Sequence, residues 1–268
     1  MAKKTVDDAL NMSIRHQKRA DLVAEEIKRL ITEKNLCPGD KLPRENELQT
    51  TFGVSKSTIR EALKSLEVQG LIKVTTGPTG GGTIVEVPLA RTFQLMQNYL
   101  FFKDVSIDDI YAVRQLLEPE LAAGAVAHLT EADFEALSHS IACCDPAAGH
   151  GNLLAERQED VNFHDILGAA NPNPFLRFCC AQINEMIRQL IVFENKTTAA
   201  EHKRFGDANV KIHTAITEAA RARDVQKVRE LMAAHMVEAT RYVKRMQGRV
   251  QGRLVLDSDV SQRVIPKR

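Results

Sequence analysis

From Pro88 to about residue 246 the sequence carries helical periodicity and almost no strand pattern, which constrains the fold more than any other feature. Amphipathic helices in such a run have only one another against which to bury their apolar stripes. The expectation is therefore an all-helical antiparallel bundle of six or seven helices. The pattern predicts them at roughly 89–102, 107–128, 131–143, 152–170, 173–194, 201–221 and 224–246. Thr130 before Glu131 and Asp224 before Val225 read as N-caps, and "NPNP" at 171–174 parts one helix from the next.

The preceding residues read differently. Residues 1–18 carry mixed charge with little periodicity and are expected to form a mobile arm. From Ala20, the residues Leu22, Val23, Ile27, Leu30 and Ile31 share one helical face, and "CPGDKLP" ends that helix near Asn35. A short helix over 45–52 follows, with Leu48 and Phe52 on its apolar side and Gly53 as its stop. Ser55 then offers a hydroxyl cap to a helix through Ile59, Ala62, Leu63 and Leu66. After Gly70 the period changes to two: "LIKVTT" and "TIVEV" flank a glycine-rich tip, predicting a β-hairpin. The fold class expected is mainly α. A winged helix-turn-helix of three helices plus a hairpin occupies 19–87. A linker helix covers 88–104, the helical domain 105–246 and a basic tail 247–268.

Composition narrows the class. The chain of 268 residues is 44% hydrophobic and 26% charged with a formal net charge of +1, so a nucleic-acid surface has to be a local patch. No run approaches the ~18 consecutive apolar residues of a membrane helix, and the polar N-terminus lacks a secretory signal's apolar core. The expected location is cytoplasmic. Five cysteines, in two adjacent pairs and one single, with no C-x-x-C, read as reduced, buried thiols rather than a disulfide framework or zinc finger.

A helix-turn-helix puts its second helix in the major groove and needs small polar and basic residues at that helix's start. "SKSTIRE" supplies Ser55, Lys56, Ser57 and Thr58 ahead of the first apolar residue, with Arg60 on the exposed side. Hydroxyls suit phosphate oxygens and guanidinium suits guanine. Arg44 adds a cation before the shorter helix.

The order of these parts resembles the GntR superfamily of bacterial transcription regulators over residues 20–87. The resemblance is carried by "PGDKLPRENELQTTFGVSKSTIREALKSLEVQGLI". It implies that Lys56, Ser57, Thr58 and Arg60 contact DNA from the recognition helix and that Gly77 contacts it from the wing. Two positions depart from the pattern. Asn46 stands where the family often has a DNA-contacting Arg, with Arg44 two places earlier, and Thr76 stands where some members have His.

A second constellation lies downstream. Asp160 and His164, four apart on a helix, leave one face together. His213 and His235 each lie eleven residues from a turn near Asp224, so both stand ~16 Å from it on antiparallel helices. Three imidazoles and a carboxylate form a ligand set for a divalent metal, with zinc first and Ni, Mn or Fe as alternatives. Against this, His16, His128, His139, His150 and His202 show no pattern, and an isolated helical His is usually an ordinary one.

The spacing, with "YAVRQLLEPELAAGAVAHLT", resembles the FCD effector domain of the superfamily's FadR branch over about 105–246. That resemblance implies a metal held by Asp160, His164, His213 and His235 beneath a pocket for a small organic acid. Arg114 is the expected anchor for the acid's carboxylate, its alternative being a surface pair with Glu118. Asn184, Arg188 and Asn209 are further candidates.

The expected function is a dimeric, sequence-specific DNA-binding transcriptional regulator, most simply a repressor. It would read a pseudo-palindromic double-stranded operator under control of a carboxylate effector. A metalloenzyme with a DNA-binding appendage and a regulator with a purely structural metal are the alternatives. No separate general base, phosphate loop or nucleophile motif supports the enzyme.

Overall fold

A computed structural model of the protein describes residues 6–75, 81–145, 153–193, 198–245 and 248–250. The chain divides into two compact units, Met1–Thr92 and Phe93–Arg268.

The first unit holds α1 (Val6–Glu33), α2 (Glu45–Phe52), α3 (Lys56–Val68), β1 (Ile72–Thr75) and β2 (Gly81–Ile84). Helix α1 begins at Val6, so it takes in most of the segment expected as an arm. Val23, Ala24 and Ile27 of α1, Leu48 of α2, and Ile59, Ala62, Leu63 and Leu66 of α3 close one core with Ile72 and Ile84 of the strands. Val23 and Ile27 lie where the helical period set them, but Leu22, expected on the same face, is 60% exposed, and Ala24 is buried instead. Gly53 ends α2 at φ 62°, in the left-handed region that glycine enters without a Cβ penalty. The hairpin is antiparallel with Ile72 opposite Ile84 and Thr75 opposite Gly81. Glu67 of α3 accepts a hydrogen bond from the Val74 N–H at 2.7 Å, which ties the wing to the helix before it.

The second unit contains α5 (Ile107–Ala125), α6 (Glu131–Cys143), α7 (Leu153–Ala170), α8 (Pro174–Leu190), α9 (Ala199–Arg221) and α10 (Val225–Arg245). The boundary between units falls inside the helix before them, α4 (Leu89–Leu100). Helix α5 is the central element and packs against α7, α8 and α10. Its start is fixed by reciprocal bonds between Ser106 and Asp109, and Thr130 with Asp133 does the same for α6. Asp224 accepts from the Lys227 N–H at 2.9 Å at the head of α10. Two apolar clusters fill the bundle, one around Phe163, Leu167, Ile216 and Met232, the other around Ile110, Tyr111, Val161, Met186 and Val243. Gly124 is required where α5 meets the end of α7, since a Cβ there would stand 2.4 Å from Asn171 Nδ2. That amide donates to the Leu121 carbonyl at 2.8 Å.

The bundle also contains strands, which corrects the expectation of helix throughout. Helix α8 stops at Leu190, and β3 (Ile191–Phe193) pairs antiparallel with β4 (Gly248–Val250). Two β-branched residues and an aromatic make a strand too short for periodicity to reveal. Its partner lies beyond α10, in the segment read as an unpatterned tail. The cysteines are free, but only Cys144 and Cys180 are buried, and Cys37 is exposed. Burial pushes the Cys180 thiol up to about 12, so it packs as an inert apolar group.

Candidate functional site

The exposed start of α3 presents the expected polar set. Ser55 caps the helix, its Oγ accepting from the Thr58 N–H at 3.3 Å and lying 2.9 Å from Ser57 Oγ. Lys56, Ser57 and Arg60 are exposed, as is Arg44 ahead of α2. Thr58 is a correction: it is buried, with its hydroxyl 2.8 Å from Ser55 Oγ, and so braces the cap from within. Glu45 of α2, which sequence reasoning passed over, receives Arg60 Nε at 3.1 Å and stands 3.9 Å from Lys56 Nζ. One carboxylate therefore orients both cations of the helix start. Being solvated, the pairing costs little to exchange for a phosphate or a base edge. Thr76 and Gly77, the expected wing contacts, lie outside the described residues.

In the second unit, α7, α9 and α10 bring three buried imidazoles together. His213 Nε2 lies 3.1 Å from His235 Nε2, and His235 Nε2 lies 3.3 Å from His164 Nε2. His213 is held flat against Phe163, with ring centroids 3.8 Å apart and an interplanar angle of 6°. The equal distance of His213 and His235 from their turn becomes side-by-side placement because α9 and α10 are antiparallel.

Burial, and then the neighbouring imidazoles, hold the pKa of His213 well below that of an ordinary histidine. Burial, His164 and Arg114 do the same for His235. Both rings are thus neutral near pH 7 and offer lone pairs. Two nitrogens each ~2.0–2.1 Å from one zinc ion stand about 3.4 Å apart at the tetrahedral angle and about 3.0 Å apart at a right angle. The observed separations match, and His164, His213 and His235 fit a metal ion.

Asp160 is not part of this group of three. It is about a quarter exposed, its Oδ1 stands 3.8 Å from His213 Nε2, and it accepts from Asn209 Nδ2 at 2.7 Å. It adjoins the cluster from the α7 side, four residues before His164.

Behind His164 runs a buried chain of charge. Glu118 Oε2 accepts from His164 Nδ1 at 3.0 Å, and Glu118 Oε1 accepts from Arg114 Nη2 at 3.0 Å. Burial alone would raise the Glu118 pKa, but His164 and Arg114 outweigh it and bring the carboxyl to about 2. Burial likewise disfavours the Arg114 cation, and Glu118, Tyr111 and Asp160 together more than offset that. With Nδ1 turned to Glu118, His164 directs Nε2 toward the other rings, so the contact fixes the orientation of the ring. Arg114 therefore pairs with Glu118, as its alternative reading allowed, but at 4% exposure it does so inside the protein, which corrects the surface placement.

Asn184 and Arg188 share a face of α8, and both are engaged by Asp165. Asn184 Nδ2 donates to Asp165 Oδ1 at 2.8 Å, and Arg188 pairs with Asp165 Oδ2. Neither lines the cavity beside the histidines. Asn209 does. That cavity, about 330 Å3, lies between α9 and α10 and is also lined by His235, Phe205, Ile212, Glu238, Tyr242 and Arg245. Glu118 and Asp165 are the residues missed here. Their only sequence signals were the four-residue step from Arg114 and the position next to His164.

A winged helix-turn-helix in one unit and a histidine-centred helical bundle in the other define a DNA-binding regulator of two parts. The comparisons agree along the chain. Residues 19–85 match the model for bacterial regulatory proteins of the gntR family, and residues 109–238 match the FCD domain. The chain therefore belongs to the GntR family, in its FadR-like branch with an FCD domain, and is a transcriptional regulator, not an enzyme.

It is 30% identical to the uncharacterized HTH-type transcriptional regulator YcbG of Bacillus subtilis, over 81% of this chain and 86% of that protein. It is 28% identical to the HTH-type transcriptional regulator LutR of the same species, over 78% and 99%. The HTH-type transcriptional repressor NanR of an Enterobacter strain is 25% identical over 82% and 83%. Among solved structures, a Streptococcus agalactiae GntR protein shares the fold with a TM-score of 0.58 and 24% identity, covering 83% of this chain and 99% of that one. No helix among the described residues is long and apolar enough to cross a membrane.

Proposed function

We propose that this regulator is a cytoplasmic, homodimeric repressor whose operator affinity is set by a small organic acid bound beside a divalent metal, zinc first. The observation that carries the reading is the convergence of three buried imidazoles, one of which, His235, lines a cavity, in a chain whose other unit is a winged helix-turn-helix. His164, His213 and His235 would hold the ion, with Asp160 adjoining them. When bound, the metal supplies a Lewis-acidic position for a carboxylate oxygen of the effector. Glu118 fixes the orientation of His164, Phe163 fixes the plane of His213, and Asn209 holds Asp160 toward the site while presenting its amide to the cavity.

Arg44, Lys56, Ser57 and Arg60 are proposed as contacts to a pseudo-palindromic operator, two half-sites matching the two-fold axis of the dimer. The exposed apolar residues Leu116 of α5 and Phe175 and Phe178 of α8, two helices that pack on each other, give that dimer its seam. An acid that binds one dimer arrangement ~5–150-fold better supplies the ~1–3 kcal/mol of coupling that such control needs.

The test is thermal denaturation of the full chain, with and without chelator, against a panel of small carboxylates, followed by operator binding with the acids that register. An acid that raises the midpoint of the metal-loaded form alone and changes operator affinity is the expected result. If no acid shifts the midpoint although chelator lowers it, the metal is structural and the effector reading fails. If His213→Ala with His235→Ala keeps one metal per subunit, the metal site fails.

A further inference from the structure

The cavity between α9 and α10 extends beyond His235, and its far end is unlike the rest. Counting from the turn between these helices, Phe205 and Tyr242 stand at matching heights, and their rings stack with centroids 3.5 Å apart and an interplanar angle of 11°. One residue further out on α9 is Arg204, and three further on α10 is Arg245; both line the cavity. Arg204 lies nine residues before His213 and Arg245 ten after His235, so both guanidinium-bearing positions stand roughly 14 Å along the helix axes from the imidazole level. Among the described residues neither has an ion-pair partner. Asp207, one turn on from Arg204, is taken by Lys203 at 2.8 Å. The one carboxylate lining the cavity, Glu238, is paired with Arg241. The space therefore has a polar end at His235 and Asn209, a wall made by Ile212, Phe205 and Tyr242, and a rim with two cations that have no ion-pair partner among the described residues.

A ligand held by one carboxylate at the polar end fills only part of such a space. We infer that the effector is an elongated acid with an anionic group at each end, the second carried between Arg204 and Arg245 at the rim. This rests on the proposed function and adds to it a ligand class and two specificity-determining residues. The physical reason is the geometry of guanidinium, whose paired N–H groups accept a carboxylate in two parallel bonds and lose little by leaving water. A monoacid of the same length leaves both cations to solvent and forgoes those bonds. The aromatic pair beneath the rim favours an apolar or planar spacer over a heavily hydrated one.

The experiment is isothermal titration of the metal-loaded full chain with straight-chain monocarboxylates and with α,ω-dicarboxylates of the same carbon counts. The wild-type protein is expected to bind the diacid roughly tenfold or more tightly than its matching monoacid, since one charge-assisted pair is worth that much. The preference should peak at one chain length and shrink as salt is raised. In Arg204→Gln with Arg245→Gln the preference should vanish while monoacid affinity and the ligand-free melting midpoint stay unchanged. The single variants Arg204→Gln and Arg245→Gln serve if the double one loses its fold. Equal binding of mono- and diacids overturns the inference and leaves the proposed effector site standing. A diacid preference that survives both substitutions also overturns it. Failure of every acid to bind the metal-loaded protein sinks the proposed function itself.

Discussion

Glu118 on α5 and His164 on α7, 46 residues apart, meet at 3.0 Å in the interior, and Arg114 closes the other side of the same carboxylate. The orientation of the His164 ring is decided by this contact rather than by anything on its own helix. Partners of this kind typically change metal affinity ~10–100-fold when removed. Glu118→Gln is expected to weaken metal binding in that range, read by competition with a chromophoric chelator. It also strands the buried Arg114 cation, so urea unfolding should show a loss on the order of 3–5 kcal/mol. Unchanged metal affinity in a folded Glu118→Gln protein would remove Glu118 from the site.

His213 and His235 make the metal-free protein acid-sensitive, and the sign follows from the lowering of their pKa values. His213 and His235 have folded pKa values well below the ordinary histidine range, so the unfolded chain binds more protons than the native one once pH drops below about 6.5. Their contribution is complete above that pH and declines below it. Glu118 adds a second, more acidic window: its stabilisation is present above about 4.5 and is lost as pH falls toward its folded value of about 2. Melting midpoints of chelated protein should therefore fall as pH is lowered from 7 to 5, and His213→Phe with His235→Phe should flatten that slope. A midpoint flat between pH 7 and 5 in the wild type would contradict the assignment.

Recognition and positioning should separate at the start of α3. Arg60→Ala is expected to cost ~1–3 kcal/mol of discrimination at one base pair, as a bidentate contact to guanine does. Lys56→Ala should weaken binding to all sequences alike and lower the salt slope by about one. Both residues are exposed, so the melting midpoint should not move. Gel-shift titrations across a mutated operator and a salt series distinguish the two outcomes.

Leu116 and Phe175 are each 73% exposed, more than a monomer gains from large apolar side chains on packed helices. Leu116→Asp with Phe175→Asp is expected to shift sedimentation from dimer to monomer. It should also cut operator affinity more than it cuts binding to a half-site. A variant that remains dimeric places the seam elsewhere.

The DNA-binding head was legible in the sequence because its information is local. Caps, the Gly53 stop and the change of period at Gly70 act over a few residues, and they place Ser55, Lys56, Ser57 and Arg60 without reference to the rest of the chain. Thr58 was misjudged because a cap hydroxyl and a surface hydroxyl look alike until the packing around them is known. In the helical bundle, His213 and His235 could be paired from sequence, since a symmetric hairpin turns equal distance from the turn into equal height. His164 joins them, and Asp160 stays at the edge.

What the sequence by itself determined is the order and type of nearly every element and the rows of residues that each helix buries. What only the tertiary structure decided is which polar side chains share a point in space. Glu118 beneath His164, Asp165 between Asn184 and Arg188, and the β3–β4 pairing all join segments whose separation has no period to betray it. Periodicity fixes the face of a helix, but the rotation and height at which three helices pack decide which side chains on those faces touch. That choice is made by the fit of Phe163, Leu167, Ile216 and Met232 in the core, and the chemistry of the site follows from it.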